Sequence, residues 1–260
     1  LKAVDDIRND LQRRWRGKVE FTKFNKGLAN FDDLIMNQSI MKPDLIWLFC
    51  STKDAAHFLK GCRKNDWSPM AFVFGTVNMV NNRIISLADG TADYAYGPAV
   101  WSSDAPYPEV ENFLDSYMAL TGEFPSYHAV EAYAGAEVLA SAIQRSEILS
   151  RDSLRKQLAA TNLLTIFGKV RFDDFRIFRN QNRSKSVCVQ LLDKKWQSVW
   201  PREIARSRYV YPPPDWRERK RNREVAKANP ILYVMFVILT ILLMILTFKR
   251  GRELRRKIGM

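Results

Sequence analysis

The chain has 260 residues, 27% of them charged, and a formal net charge of +13. From Arg217 to Met260 twelve Lys/Arg stand against three acids, so the first 216 residues carry only +4. A basic nucleic-acid platform is therefore set aside for those residues, which are numerous enough for one large domain or two small ones with a real core. The terminal basic clusters suit anionic lipid headgroups instead.

In chain order, Val4, Ile7, Leu11 and Trp15 recur at helical spacing, which predicts an amphipathic helix over the first sixteen residues, stopped by Gly17. Residues 18–24 alternate as a strand, and Phe31, Leu34, Ile35 and Gln38 form the next helical stripe. Residues 45–50, LIWLFC, are a continuous apolar run, the pattern of a strand covered on both faces. Residues 53–65 return to helix with Ala55, Leu59 and Cys62 inward, and residues 70–74 supply another apolar strand. Helix and strand alternating this way predict right-handed crossovers onto a parallel sheet, hence an α/β fold.

From 77 to 101 the pattern loosens into short strands or loop. Pro108 opens a helix whose stripe is Val110, Phe113, Leu114, Tyr117 and Met118 and which Gly122 ends. After Pro125-Ser126 comes the longest helix before the basic tail, expected to turn Ala129, Ala132, Ala136 and Ala140 inward. A short helix over 151–160 leads to antiparallel strands at 168–172, 186–192 and 196–200. Pro201 and Pro212-Pro213-Pro214 then predict a stiff linker over 201–229.

Residues 230–248, PILYVMFVILTILLMILTF, are nineteen in a row without a charge. As a helix they would reach about 28 Å, close to the hydrocarbon thickness of a bilayer. A single transmembrane helix is expected there, followed by a basic tail at 249–260, with the bilayer as partner. Trp216, Arg217, Lys249 and Arg250 are the expected membrane-interface residues. Both flanks are basic, so orientation rests on a slight excess favouring the short tail in the cytoplasm or matrix, with the α/β domain on the extracytoplasmic or intermembrane-space side. The chain opens at Leu1 without an initiator Met or apolar signal, so any targeting segment is expected to have been removed or to lie upstream.

Candidate chemistry is sparse. Cys50, Cys62 and Cys188 fit no metal spacing; buried free thiols are expected, and a Cys50–Cys62 bridge would need an oxidising compartment. His57 and His128 are the two histidines and have no catalytic company in sequence. The pairs Asp32-Asp33 and Asp173-Asp174 suit a helix first turn and a turn, not a metal. No catalytic residue, cofactor or metal is expected. Ser51, Thr52 and Thr76 follow the two apolar strands, at the carboxyl ends where open parallel sheets bind ligands. They are the ligand candidates, with helix capping the competing role for Ser51 or Thr52.

Three blocks carry a family resemblance. Pro43-Asp44, the apolar strand and then Asp54-Ala55-Ala56-His57-Phe58-Leu59-Lys60 make the first. Tyr117, Gly122, Pro125, Ser126, Ala132 and Tyr133 make the second; Gly168-Lys169-Val170-Arg171-Phe172-Asp173 followed by 187–199 makes the third. In order and spacing they resemble the type I periplasmic binding proteins of the branched-chain amino-acid-binding branch, over most of residues 1–200. The resemblance implies a two-lobed α/β clamp closing on a small amphoteric ligand. It also implies two departures: the chain starts where the second lobe starts, without the first lobe's sheet, and the loops Cys50-Ser51-Thr52 and Gly75-Thr76-Val77 lack the carboxylate that would pair a ligand ammonium.

Two functions are then expected, neither enzymatic. One is a degenerate binding-protein domain serving as accessory subunit of a membrane complex, for which a mitochondrial inner-membrane respiratory complex is one setting, with other membrane-protein subunits as partners. The other is the membrane-proximal part of a receptor ectodomain sensing amino-acid-like molecules, as in receptor-type adenylate cyclases.

Overall fold

The computed structural model describes residues 2–15, 18–183, 186–219 and 221. An opening helix α1 (Lys2–Trp15) and a second, α2 (Asp32–Met41), precede the first strand, β1 (Leu45–Leu48). Helix α3 (Thr52–Lys64) crosses over to β2 (Ala71–Phe74), which pairs parallel to β1 with Leu45 beside Ala71 and Leu48 beside Phe74. A 3-10 turn (Val77–Met79) and helix α4 (Asn82–Ala88) lead to β3 (Tyr96–Ala99), parallel to β2. Helices α5 (Val110–Thr121), α6 (Tyr127–Gln144) and α7 (Arg151–Ala159) then leave the sheet, followed by β4 (Asn162–Thr165), β5 (Gly168–Phe175) and β6 (Phe178–Asn182). The chain returns as β7 (Val187–Leu192) and β8 (Lys195–Trp200). Among the described residues the strand orders are β1-β2-β3-β7-β8 and β4-β5-β6, the first with a parallel half and an antiparallel half.

The α/β expectation holds, and its periodicity shows directly in burial. Ala55, Leu59 and Cys62 of α3 are fully buried, as are Ile35 of α2 and Phe74 of β2. Helix ends follow the local chemistry: Ser51, Asn81, Ser126 and Ser150 cap α3, α4, α6 and α7 by accepting a backbone N–H. Gly122 ends α5 at φ +72°, its N–H closing onto the Met118 carbonyl.

Four expectations change. Residues 18–24 alternate but form no strand: among the described residues none of the sheet strands takes them as a partner, and the order ends at β1. Within β1, Leu45 and Trp47 are 48% and 43% exposed while Ile46 and Leu48 are buried, so the strand is covered on one face, not two. Helix α6 buries Val130, Ala134, Val138 and Ala142 in place of the expected alanines, and Ala132, Ala136 and Ala140 face outward.

The fourth change concerns the Pro-rich stretch, which over 201–219 is bound to the sheet. Buried Gln190 of β7 donates to the Val210 and Tyr94 carbonyls, both at 3.0 Å, and accepts the Val210 N–H at 2.8 Å. The Tyr96 hydroxyl adds a second bond to the Val210 carbonyl. Trp216 donates its indole N–H to the Trp67 carbonyl at 2.8 Å and packs on Phe72, while Arg219, 4% exposed, stacks on it at 4.3 Å.

Among the described residues no helix is long and apolar enough to cross a membrane. The expected span at 230–248 and the tail at 249–260, with Lys249 and Arg250, lie outside the described residues.

Candidate functional site

Strands β1, β2 and β3 run in one direction, so the loops after them gather at one edge. This is where the sequence places Ser51, Thr52 and Thr76, and the fold brings the first two and the third onto neighbouring strands. Their hydroxyls are not equally free. Ser51 Oγ donates to Asp54 Oδ2 at 2.7 Å and accepts the Asp54 N–H at 3.1 Å, so it caps α3. Asp54 itself is 2% exposed and its other oxygen accepts the Gly27 N–H. Thr52 Oγ1 accepts from Asn81 Nδ2 at 3.4 Å. Thr76 is exposed, extended in backbone, and makes no capping bond to the turn it precedes.

Four residues not selected from the sequence as site residues, Asn81, Asn78, Tyr127 and Gly75, complete this edge. Asn81 bridges Thr52 to the Asn78 carbonyl while its own oxygen caps α4, and the Trp196 indole donates to its carbonyl. Asn78 Oδ1 accepts from the Tyr127 hydroxyl at 3.3 Å, which ties the first turn of α6 to the sheet edge. An Asn three residues before a helical Ile is a cap signal, but nothing in local sequence joins residue 78 to residue 127. Gly75 has a steric reason: a Cβ there would lie 2.4 Å from the Phe49 ring, which folds over the loop.

The acid after β3, Asp104, is already committed. It accepts from Ser102 and from the Ser198 N–H at 2.9 Å. The edge is therefore built of hydroxyls, amides and aromatic rims, with both neighbouring carboxylates satisfied from within.

No reactive nucleophile emerges among the residues singled out. Burial, with the nearby Asp54 charge second, pushes the Cys50 thiol up to about 11, and burial pushes Cys62 and Cys188 up as well. All three are free thiols. His57 is exposed, and His128 lies on the surface against Tyr127 and Glu131. Asp32 takes Lys64 and Asn65, Asp173 pairs with Arg171, and Asp174 accepts the Asn180 N–H, so both acid pairs do structural work. Among the described residues no group of three or more His, Cys, Asp or Glu is placed to hold a metal.

Two of the expected membrane-interface residues are described. Trp216 is 7% exposed and part of the sheet core, so its indole is taken up by the domain and is not available to a headgroup layer. Arg217 is exposed and pairs with Asp66, which raises its pKa.

Residues 16–190 match the sequence profile of the periplasmic binding proteins. Among solved structures, the leucine-binding protein LivK of Thermotoga maritima superposes with a TM-score of 0.59 at 15% identity, over 75% of this chain and 55% of its own. The branched-chain amino acid transporter substrate-binding protein LivJ of Streptococcus pneumoniae, in complex with isoleucine, gives 0.54 at 18% identity over 72% and 50%. A solute-binding protein of an ABC transporter from R. palustris, in complex with benzoate, gives 0.55 at 16% identity over 81% and 56%. The chain thus spans about half the length of the structures it matches. The order of strands, the parallel half-sheet with its polar carboxyl edge and the matched profile lead to one assignment: the chain belongs to the periplasmic binding protein family, with the type I fold of its branched-chain amino-acid-binding members.

Proposed function

We propose that the chain is a non-catalytic binding module of a membrane-anchored protein, the membrane-proximal part of an ectodomain that senses a small polar molecule. One observation carries this reading: an uncommitted hydroxyl, Thr76, stands beside an Asn78–Tyr127 bridge between sheet and helices, at the strand ends where such sheets take ligands. Among the described residues the edge offers the Thr76 hydroxyl as a donor and no unsatisfied carboxylate beside it. It suits a carboxylate or a neutral polar group better than an ammonium, whose burial without a counter-ion is heavily penalised.

Calorimetric titration of the full chain with benzoate and with isoleucine tests this. Saturable binding of the carboxylate, weakened about tenfold by Thr76→Val, is the expected result, since one lost hydrogen bond to a charged group is worth at least that factor. Isoleucine binding as tight as benzoate binding would refute the charge argument, and silence from both would remove the sensing role.

The accessory-subunit reading has its own supporting observation, the absorption of Ser51 and Thr52 into the α3 cap and the Asn81 bridge. It predicts a stable protein partner co-purifying from native membranes and no ligand heat.

A further inference from the structure

The outer half of the β5–β6 hairpin, beyond buried Val170, is a surface element that neither the core nor the ligand edge uses. All of β6 is exposed, and the tip presents Ile177 at 87% and Phe178 at 56% exposure. Around these two apolar side chains stand Arg176, Arg179 and Arg183. The hairpin's own acids offset them only in part: Asp173 is paired with Arg171 at 2.9 Å, and the Asp174 carboxylate, which accepts the Asn180 N–H at 3.1 Å, balances one of the three. Among the described residues none of the three arginines has a carboxylate within ion-pair distance. Arg183 and Arg176 lie over the Phe175 ring at 4.4 and 5.4 Å, a contact that orients a guanidinium without cancelling its charge.

An apolar tip ringed by unpaired guanidinium groups has two common polyanionic counterparts, a lipid surface and a nucleic acid. Single-strand binding needs open aromatic faces for bases to stack on. Here the Phe175 ring is already occupied by two guanidinium groups, which leaves Phe178 as a single open aromatic plane beside an aliphatic Ile, too few planes for successive bases to stack on. Isoleucine and phenylalanine beside arginine are, by contrast, what an interfacial element sinks into the boundary between headgroups and acyl chains.

We propose that the β5–β6 hairpin is a membrane-contact element, setting Arg176, Arg179 and Arg183 against anionic headgroups and Ile177 and Phe178 into the interfacial layer. The proposal rests in part on the membrane-anchored reading above, since residues 230–248 would keep the domain near a bilayer.

The test uses the full chain with vesicles of phosphatidylcholine alone and of phosphatidylcholine with phosphatidylserine, reading flotation and amide hydrogen exchange. Flotation with the zwitterionic vesicles reports the anchor; its failure sinks the anchored reading and leaves the hairpin readout intact. Exchange at residues 174–180 is expected to slow about tenfold when phosphatidylserine is present, a modest share of what three arginines near an anionic surface contribute. The combined variant Arg176→Gln, Arg179→Gln and Arg183→Gln is expected to abolish the slowing, and Ile177→Ser to reduce it. Unchanged protection in α3 verifies that each variant is folded. Equal exchange in both vesicle types overturns the proposal, as does slowing that survives the triple variant. Equal protection by a single-stranded oligonucleotide without vesicles overturns it in favour of a nucleic acid.

Discussion

The sheet with α2–α4 and the helical group α5–α7 are both rich in apolar residues, but they bury them to different degrees. Around the sheet the aromatic rings form a continuous series, Phe24 to Phe31 to Phe58 to Phe72 to Trp216, with successive centroids 5.2–6.4 Å apart, and Leu59, Cys62, Phe74 and Ile84 are sealed beneath it. The helical group closes a smaller core around Trp101, Val110, Phe113, Val130, Ala134 and Ile166. Its outer faces keep Met118, Leu120, Tyr133, Leu139 and Ile143 at 41–86% exposure. The sheet region has open faces too, with Met36, Ile40 and Met41 of α2 at 45–72% exposure, so the contrast lies in the size of the sealed core: a helix packs only the stripe that meets a neighbour. Helix α6 has two such stripes and meets a neighbour with one.

Truncation should expose this inequality most strongly. Phe74→Ala is expected to cost about 3–5 kcal/mol, read from urea denaturation. Val130→Ala, the best-buried site of the helical group, should cost about 2 kcal/mol for its lost methyl groups. Equal losses at the two sites would erase the distinction.

Next in size is Gln190→Ala. It removes the partner of the Val210 N–H and one bond each from the Val210 carbonyl, which keeps the Tyr96 hydroxyl, and the Tyr94 carbonyl, at an expected cost of about 2–3 kcal/mol. Hydrogen exchange at Val210 should accelerate with it, and exchange unchanged at that amide would show the bound segment to be held from elsewhere.

Caps should behave alike in both regions. Ser51→Ala and Ser126→Ala are each expected to lose about 1 kcal/mol, and a much larger loss at Ser51 would reveal that its bond to Asp54 supports more than the helix start.

The smallest effect is a pH dependence set by Glu137 in the helical group. Burial raises the Glu137 pKa although its carboxylate accepts the Ile166 N–H, so the folded state holds this proton more tightly than the unfolded chain does. Stability is then lost as pH climbs from the ordinary value near 4.5 through the raised folded value, and stays reduced above it. Glu137→Gln should therefore raise the denaturation midpoint at neutral pH, with the gain vanishing at acidic pH. A gain independent of pH would point to packing, not charge.

Much of the fold was readable where burial has a single period. The runs LIWLFC and MAFVF gave β1 and β2, and the Ser51, Ser126 and Gly122 signals mark helix ends that the structure reproduces. Failures fall where two answers share one pattern. Residues 129–143 carry alanines on one face and Val130, Ala134 and Val138 on another, so composition cannot choose which face a neighbour takes. Residues 18–24 have strand alternation, yet a strand exists only beside a partner. Of the candidate edge, Ser51, Thr52 and Thr76 could be found because they follow recognisable strands. Asn78 and Tyr127 meet across 49 residues, a juxtaposition produced by folding alone.

The attachment of residues 210–219 also has a mechanical consequence. Trp67, Asp66 and Asp93 all precede β2 or β3, so residues 216–219 are fastened at the amino pole of the sheet, opposite the pole that bears Thr76. Tension on these residues enters through the Trp216 indole, which grips the Trp67 carbonyl and leans on Phe72. From there β2 is a stiff rod of about 13 Å, and its far end is the Gly75-Thr76 loop. One strand, β2, is therefore the whole distance between the point where Trp216 is fastened and the loop that bears Thr76.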